Sequence, residues 1–144
     1  MSVIIAKGVP VISGAARGEV LFSDIALSFW GGVDAHTSEV IDKRHDLYGR
    51  QMAQKILCLP YGRGSCSSSG IIVEMVRAGT APAAIIAREV EGILAVGSII
   101  AKELYGRWIP VYTVGAEDYA RLAGYKSVAI EEDGRISACD FSTS

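Results

Sequence analysis

The sequence has 144 residues, half of them hydrophobic and 21% charged, with a formal net charge of −2. That composition excludes a disordered chain, and without a basic surplus there is little to neutralise phosphates, so nucleic acid is not an expected partner. No apolar run approaches the roughly 18 residues that cross a bilayer, so no membrane partner is expected either.

Other features of the whole chain narrow the expectation. Three cysteines, Cys58, Cys66 and Cys139, form no C-x-x-C pair, and "MSVIIAKGVP" has neither a basic start nor a cleavage site. The expectation is a single domain over residues 1–144, cytoplasmic, with reduced thiols. The mean hydropathy of +0.31 is high for a lone domain. It fits either a densely packed core or a face buried against a partner.

In chain order, "SVIIAKGV" and "GEVLFS" read as strands separated by the turn "SGAARG". Residues 27–52 lack a helical period and carry Gly31-Gly32, which predicts loop, a short strand at Glu39–Asp42, and loop. So long a connection within a compact domain points to function. "KILCLP" is a strand ended by Pro60, and "GIIVEMVRAG" a helix stopped by Gly79. "APAAIIA" is a buried strand. In "EVEGILAVGSIIAKELYG" apolar residues Ile93, Leu94, Val96, Ile99, Ile100 and Leu104 surround most of the circumference, which predicts an enclosed helix. "WIPVYTV" is a strand, "AEDYARLA" a short helix, and "SVAIEEDGRISAC" a hairpin turning at Asp133-Gly134. Together these predict an α/β domain, a parallel sheet or partly closed barrel with flanking helices.

The stretch "KILCLPYGRGSCSSSGIIVEMVRAG" passes from strand to helix through three glycines, four serines and a cysteine. A helix N-terminus offers unpaired N–H groups and a favourable dipole to an anion, and glycine lets a ligand approach the backbone. Arg63 adds a guanidinium suited to carboxylate or phosphate. No Lys-Ser/Thr follows the glycines, so this is not a Walker A loop, and Ser67 stands where a dinucleotide fingerprint has glycine. The plainer reading is that a serine caps the helix and the glycines turn the chain. Four hydroxyls and a thiol within five residues exceed what a cap needs.

Three motifs, "LSFWGGVD" (27–34), "LPYGRGSCSSSG" (59–70) and "AGTAPAAII" (78–86), resemble the small subunit of the aconitase X family, over about Gly14 to Val114. More distantly, "GRGSCSS" is similar to the Gly-x-Gly-Ser-Ser-Arg loop of the swivelling domain in aconitases and isopropylmalate isomerases. Those enzymes remove a proton α to a carboxylate with a serine alkoxide and expel a hydroxyl.

The resemblance implies a swivelling-type β/β/α domain and a hydro-lyase component, acting with a large aconitase X subunit in a heterodimer or higher assembly. The implied substrate is a small hydroxy acid, cis-3-hydroxy-L-proline or, alternatively, phosphomevalonate. It places Ser65 as the catalytic base, with Arg63, Gly64, Cys66, Ser67, Gly32 and Asp34 about the substrate. An iron–sulfur cluster or iron is expected mainly in the large subunit, none being bound by this chain alone. Cys66 and Ser67 replace the Ser-Arg of the aconitase loop, so that loop's substrate-gripping arginine is missing.

The residues themselves leave alternatives standing. Arg63 reads equally as a solvated loop charge, Asp34 as a turn residue, and Cys66 as a cluster ligand or a small filler. His36 and His45, nine residues apart, make no metal motif and read as surface residues. Trp30 and Trp108 read as core or interface anchors. A non-catalytic anion-binding or assembly module is the alternative to a lyase component.

Overall fold

The computed structural model describes residues 3–63, 67–89 and 92–139. Apolar strands paired with amphipathic helices give the order β1 (Val3–Lys7), β2 (Val9–Ile12), β3 (Ala16–Phe22), β4 (Leu27–Ser28), α1 (Phe29–Gly32), β5 (Ile56–Leu59) and β6 (Gly62–Arg63), followed by α2 (Ser67–Ala78), β7 (Ala84–Ala87), α3 (Gly92–Tyr105), β8 (Val111–Thr113), α4 (Ala116–Leu122), β9 (Ser127–Ile130) and β10 (Arg135–Cys139).

The main sheet has eight strands in the order β1-β10-β9-β3-β5-β7-β8-β2. Its two ends are the two halves of one N-terminal run: β1 pairs with β10 and β2 with β8, with only Gly8 between them. The two ends of the sheet therefore meet in a single bent segment, which rolls it into a partly closed barrel. At the bend the Gly8 N–H donates to the Gly134 carbonyl at 2.7 Å. Gly134 has φ +98°, and a Cβ there would lie 2.0 Å from the Gly8 carbonyl oxygen. Only glycine fits that crossing.

Within the parallel set β3-β5-β7-β8 the strands β5 and β7 are buried on both faces, and the period of two sorts the side chains. Ile56, Cys58, Ala84, Ile86 and Tyr112 join Ile5, Val128, Ile130 and Ile136 in an inner cluster, which also takes in Tyr119 and Leu122 of α4. Leu57, Leu59, Ile85 and Val111 face outward onto Ile72 and Met75 of α2 and Leu94 and Ala101 of α3. Two strand layers under one helix layer make a β/β/α architecture, and the partly closed barrel expected from the sequence is present.

Three expectations need correction. Glu39–Asp42 forms no strand; Val33↔Val40 and Glu39↔Gln51 are single bridges within a loop. The strand expected over 2–9 divides at Gly8. The third concerns α3, which is not enclosed. It buries Leu94, Ala95, Gly97, Ser98 and Ala101, while Val96, Ile99, Ile100 and Leu104 are 48%, 50%, 39% and 62% exposed. Small residues point inward because α3 lies close on α2: a Cβ on Gly97 would meet the Ile72 Cβ at 2.8 Å. Ser98 fixes the helix further, donating to the Ile109 carbonyl at 2.6 Å and accepting the Ile109 N–H at 2.8 Å.

Replacing Gly97 by alanine sets helix propensity, worth about 1 kcal/mol in favour of alanine, against overpacking of about 1–3 kcal/mol. The contact with Ile72 is the larger effect, so Gly97→Ala is expected to lower the urea midpoint. Gly92→Ala, where nothing lies within 4 Å of the added methyl, is expected to leave it unchanged or raise it.

Candidate functional site

Strands β3, β5 and β7 run parallel in the register Phe22↔Cys58↔Ile86, so their C-terminal ends finish side by side. Crevices outside such ends are where open α/β sheets take their ligands. The chain leaves β5 through the buried Pro60, whose carbonyl accepts the N–H groups of Arg88 and Glu89, both at 3.1 Å, just past β7. It then enters β6, which pairs in parallel with β4: Leu27 lies opposite Gly62 and Ser28 opposite Arg63.

That two-strand pairing joins two of the three motifs. The "FWGG" segment is not a true helix, because Trp30 has ψ 116° and Gly31 the left-handed φ of +80°. This turn leaves Phe29 fully buried and Trp30 60% exposed. Its link to the glycine-serine loop is a hydrogen bond from the Trp30 N–H to the Ser68 hydroxyl at 3.2 Å. Ser68 is fully buried, and Ser69 donates to the Ile93 carbonyl at 3.0 Å. Two of the surplus hydroxyls thus have structural work, tying α2 to the FWGG turn and to α3.

Gly64, Ser65 and Cys66 lie outside the described residues, as do the side chains of Arg63 and Ser67. In the sequence, Ser65 stands two residues before the first residue of the twelve-residue helix α2. Gly32 is buried, and its carbonyl accepts the Ile41 N–H at 2.8 Å. Asp34 holds its own turn: Oδ1 accepts the His36 N–H at 2.8 Å and the Thr37 N–H at 3.4 Å.

Other residues at this end of the sheet carry no sequence motif. Tyr119 is 1% exposed and its hydroxyl donates to the Ser23 carbonyl. Burial pushes that hydroxyl's pKa up; the Cys58 sulfur and the carboxylates of Asp24 and Asp46 add to the effect, and Arg88 opposes it. Ser23 in turn donates to Asp46 Oδ1 at 2.7 Å. The Arg88 guanidinium stands 5.6 Å from the Tyr119 ring centroid. A basic residue immediately after an apolar parallel strand was the available signal for Arg88, and it is a weak one.

His45 is a core residue, 4% exposed, and not the surface residue expected from the sequence. Its Nε2 lies 2.9 Å from the Ile25 carbonyl, and Nδ1 lies 3.1 Å from the Leu47 amide nitrogen. With a hydrogen on Nε2 the ring donates to Ile25, and Nδ1 accepts from Leu47 beside the Asp46 carboxylate at 3.2 Å. His36 is exposed. Among the described residues no group of three or more His, Cys, Asp or Glu is placed to hold a metal ion. Cys58 is fully buried and its thiol is pushed up to about 12 by burial, the opposite of what a thiolate ligand needs. The described residues therefore do not make a seat for an iron–sulfur cluster.

Two outcomes follow from these contacts. Ser68→Ala removes the acceptor of the Trp30 amide and is expected to cost about 1 kcal/mol. A lower melting temperature and a changed tryptophan fluorescence would report it. With a pKa of about 12, Cys58 is a thiolate in roughly one molecule in ten thousand at pH 8. Iodoacetamide under native conditions is expected to spare it and to reach the half-exposed Cys139 before it, as peptide mass mapping would show.

The geometry has clear counterparts. A crystal structure of Thermococcus kodakaraensis aconitase X in its holo form matches with a TM-score of 0.77 and 35% identity, covering 92% of this chain and 95% of that one. The cis-3-hydroxy-L-proline dehydratase of Pseudomonas aeruginosa is 45% identical over 126 residues, 88% of this chain but 21% of that protein. The phosphomevalonate dehydratase small subunit of Methanopyrus kandleri is 49% identical over 73 residues, 51% of this chain and 54% of that protein. The chain thus spans about a fifth of the first relative's length and about half of the second's. The family described as the aconitase X swivel domain matches residues 5–138, and this chain belongs to it.

Proposed function

We propose that this domain is the small-subunit component of a hydro-lyase that dehydrates cis-3-hydroxy-L-proline, with Ser65 removing the α-proton. The observation that carries the substrate is the 45% identity to a protein of that name across 88% of the chain. The phosphomevalonate dehydratase small subunits match over 51–58% of it.

The reaction removes hydrogen from C2 and hydroxide from C3 of the ring, with a proton delivered to the departing oxygen, so that one water leaves and a C2=C3 double bond forms. A serine hydroxyl is a poor base unless its alkoxide is stabilised. The position of Ser65 ahead of α2 supports that role, because unpaired N–H groups and the positive dipole end favour an oxyanion there. In this reading the backbone of Gly64 and Ser67 supplies donors, Arg63 and Cys66 line the loop, and Gly32 and Asp34 shape the facing FWGG turn.

A larger subunit completes the site. The described part of this chain lacks an acid, a base and an electrophile gathered at one point, which a self-sufficient active site requires. The exposed Val96, Ile99, Ile100 and Leu104, with Trp30 and Tyr61 beside the loop, are apolar surface that a partner would cover at about 1.5–3 kcal/mol per fully buried side chain. Any iron centre belongs to that larger subunit.

The test is dehydratase activity after co-expression with a large aconitase X subunit, with cis-3-hydroxy-L-proline and phosphomevalonate as substrates. Ser65→Ala is expected to lower the rate on cis-3-hydroxy-L-proline by on the order of 10²–10⁴-fold while the complex still elutes intact from a sizing column. Undiminished activity in the variant removes Ser65 as base. Activity on phosphomevalonate alone reassigns the substrate. Failure to form any complex leaves an anion-binding module.

A further inference from the structure

We infer that Arg88 holds the substrate's carboxylate; the inference rests on the lyase reading above. Three features of the fold carry it.

The first is position. Leu59 lies opposite Ala87 in the β5–β7 register, so Arg88 sits beside Pro60, at the C-terminal ends of the parallel strands and at the root of the glycine-serine loop. The second is anchorage. Its N–H and that of Glu89 both bind the Pro60 carbonyl at 3.1 Å, tying the backbone of Arg88 directly to the chain that runs on to Ser65.

The third is the state of the guanidinium. It makes no ion pair among the described residues, whereas Arg44, Arg77, Arg121 and Arg135 each pair with a carboxylate. It stands instead over the ring of Tyr119 at 5.6 Å. That ring is held in turn by its buried hydroxyl's bond to the Ser23 carbonyl. An arginine placed on an aromatic face, with no ion pair among the described residues, is suited to bidentate carboxylate recognition.

The experiment uses the complex of this chain with the large subunit and reads two quantities. They are KM for cis-3-hydroxy-L-proline, and inhibition by L-proline against L-prolinamide, which keeps the ring amine and loses the carboxylate. In Arg88→Gln, KM and the inhibition constant of L-proline are expected to rise on the order of 10- to 100-fold, the range of a charge-assisted hydrogen bond. L-Prolinamide should inhibit wild type and variant alike, and Arg88→Lys should recover part of the loss. The ratio between the two inhibitors is internal to each protein, so a general structural defect cannot produce it. A variant with unchanged KM, or one that weakens L-proline and L-prolinamide equally, overturns the assignment while leaving the lyase reading in place. A wild-type complex that neither turns over cis-3-hydroxy-L-proline nor binds L-proline overturns that reading, and the assignment with it.

Discussion

Two glycine backbones in contact set the shape of this domain. Where Gly8 donates to the Gly134 carbonyl at 2.7 Å, the N-terminal run bends from one end of the sheet to the other. The contact admits no side chain on Gly134, since a Cβ would fall 2.0 Å from the Gly8 carbonyl oxygen. Closure follows from that bend, and with closure the strands acquire an inside and an outside. Because successive side chains of β5 point to opposite faces, Cys58 is enclosed within the barrel while Leu57 and Leu59 carry the helix layer.

The position of the site is a consequence of the same arrangement. Closing the barrel with β3, β5 and β7 parallel brings three strand ends together. The connections leaving them carry Ser23, Pro60 and Arg88, joined by backbone hydrogen bonds and by the Tyr119 hydroxyl. The long excursion after β3 returns to this point through the β4–β6 pairing and the Trp30–Ser68 hydrogen bond. Backbone hydrogen bonds thus fix the strand ends from which the glycine-serine loop departs.

The helix layer shows how packing distance outranks hydropathy. In α3 the larger apolar side chains face outward and the smaller ones inward, because Gly97 allows α3 to approach Ile72 of α2 closely. The outcome is a compact domain with an apolar exterior stripe. This accounts for the high mean hydropathy better than a dense core alone.

Local pattern alone was enough for much of this protein. Apolar runs bounded by Gly and Pro located β5, β7, β8 and the β9–β10 hairpin, and Gly79, at φ +78°, marked the end of α2. The motifs at residues 27–34, 59–70 and 78–86 identified the family, because unusual runs of residue types can be read along the sequence itself. Tertiary structure alone decided the rest. The division of a continuous apolar strand at Gly8 depends on where Gly134 arrives, 126 residues later. The outward face of α3 depends on Ile72, and the burial of His45 on the carbonyl of Ile25. Arg88 follows the same rule: it has no motif of its own, and it becomes a candidate ligand-binding cation only because β5 and β7 end in register beside Tyr119. Such properties arise from pairs of residues distant in sequence, and a pattern read along one stretch of chain contains only one member of each pair.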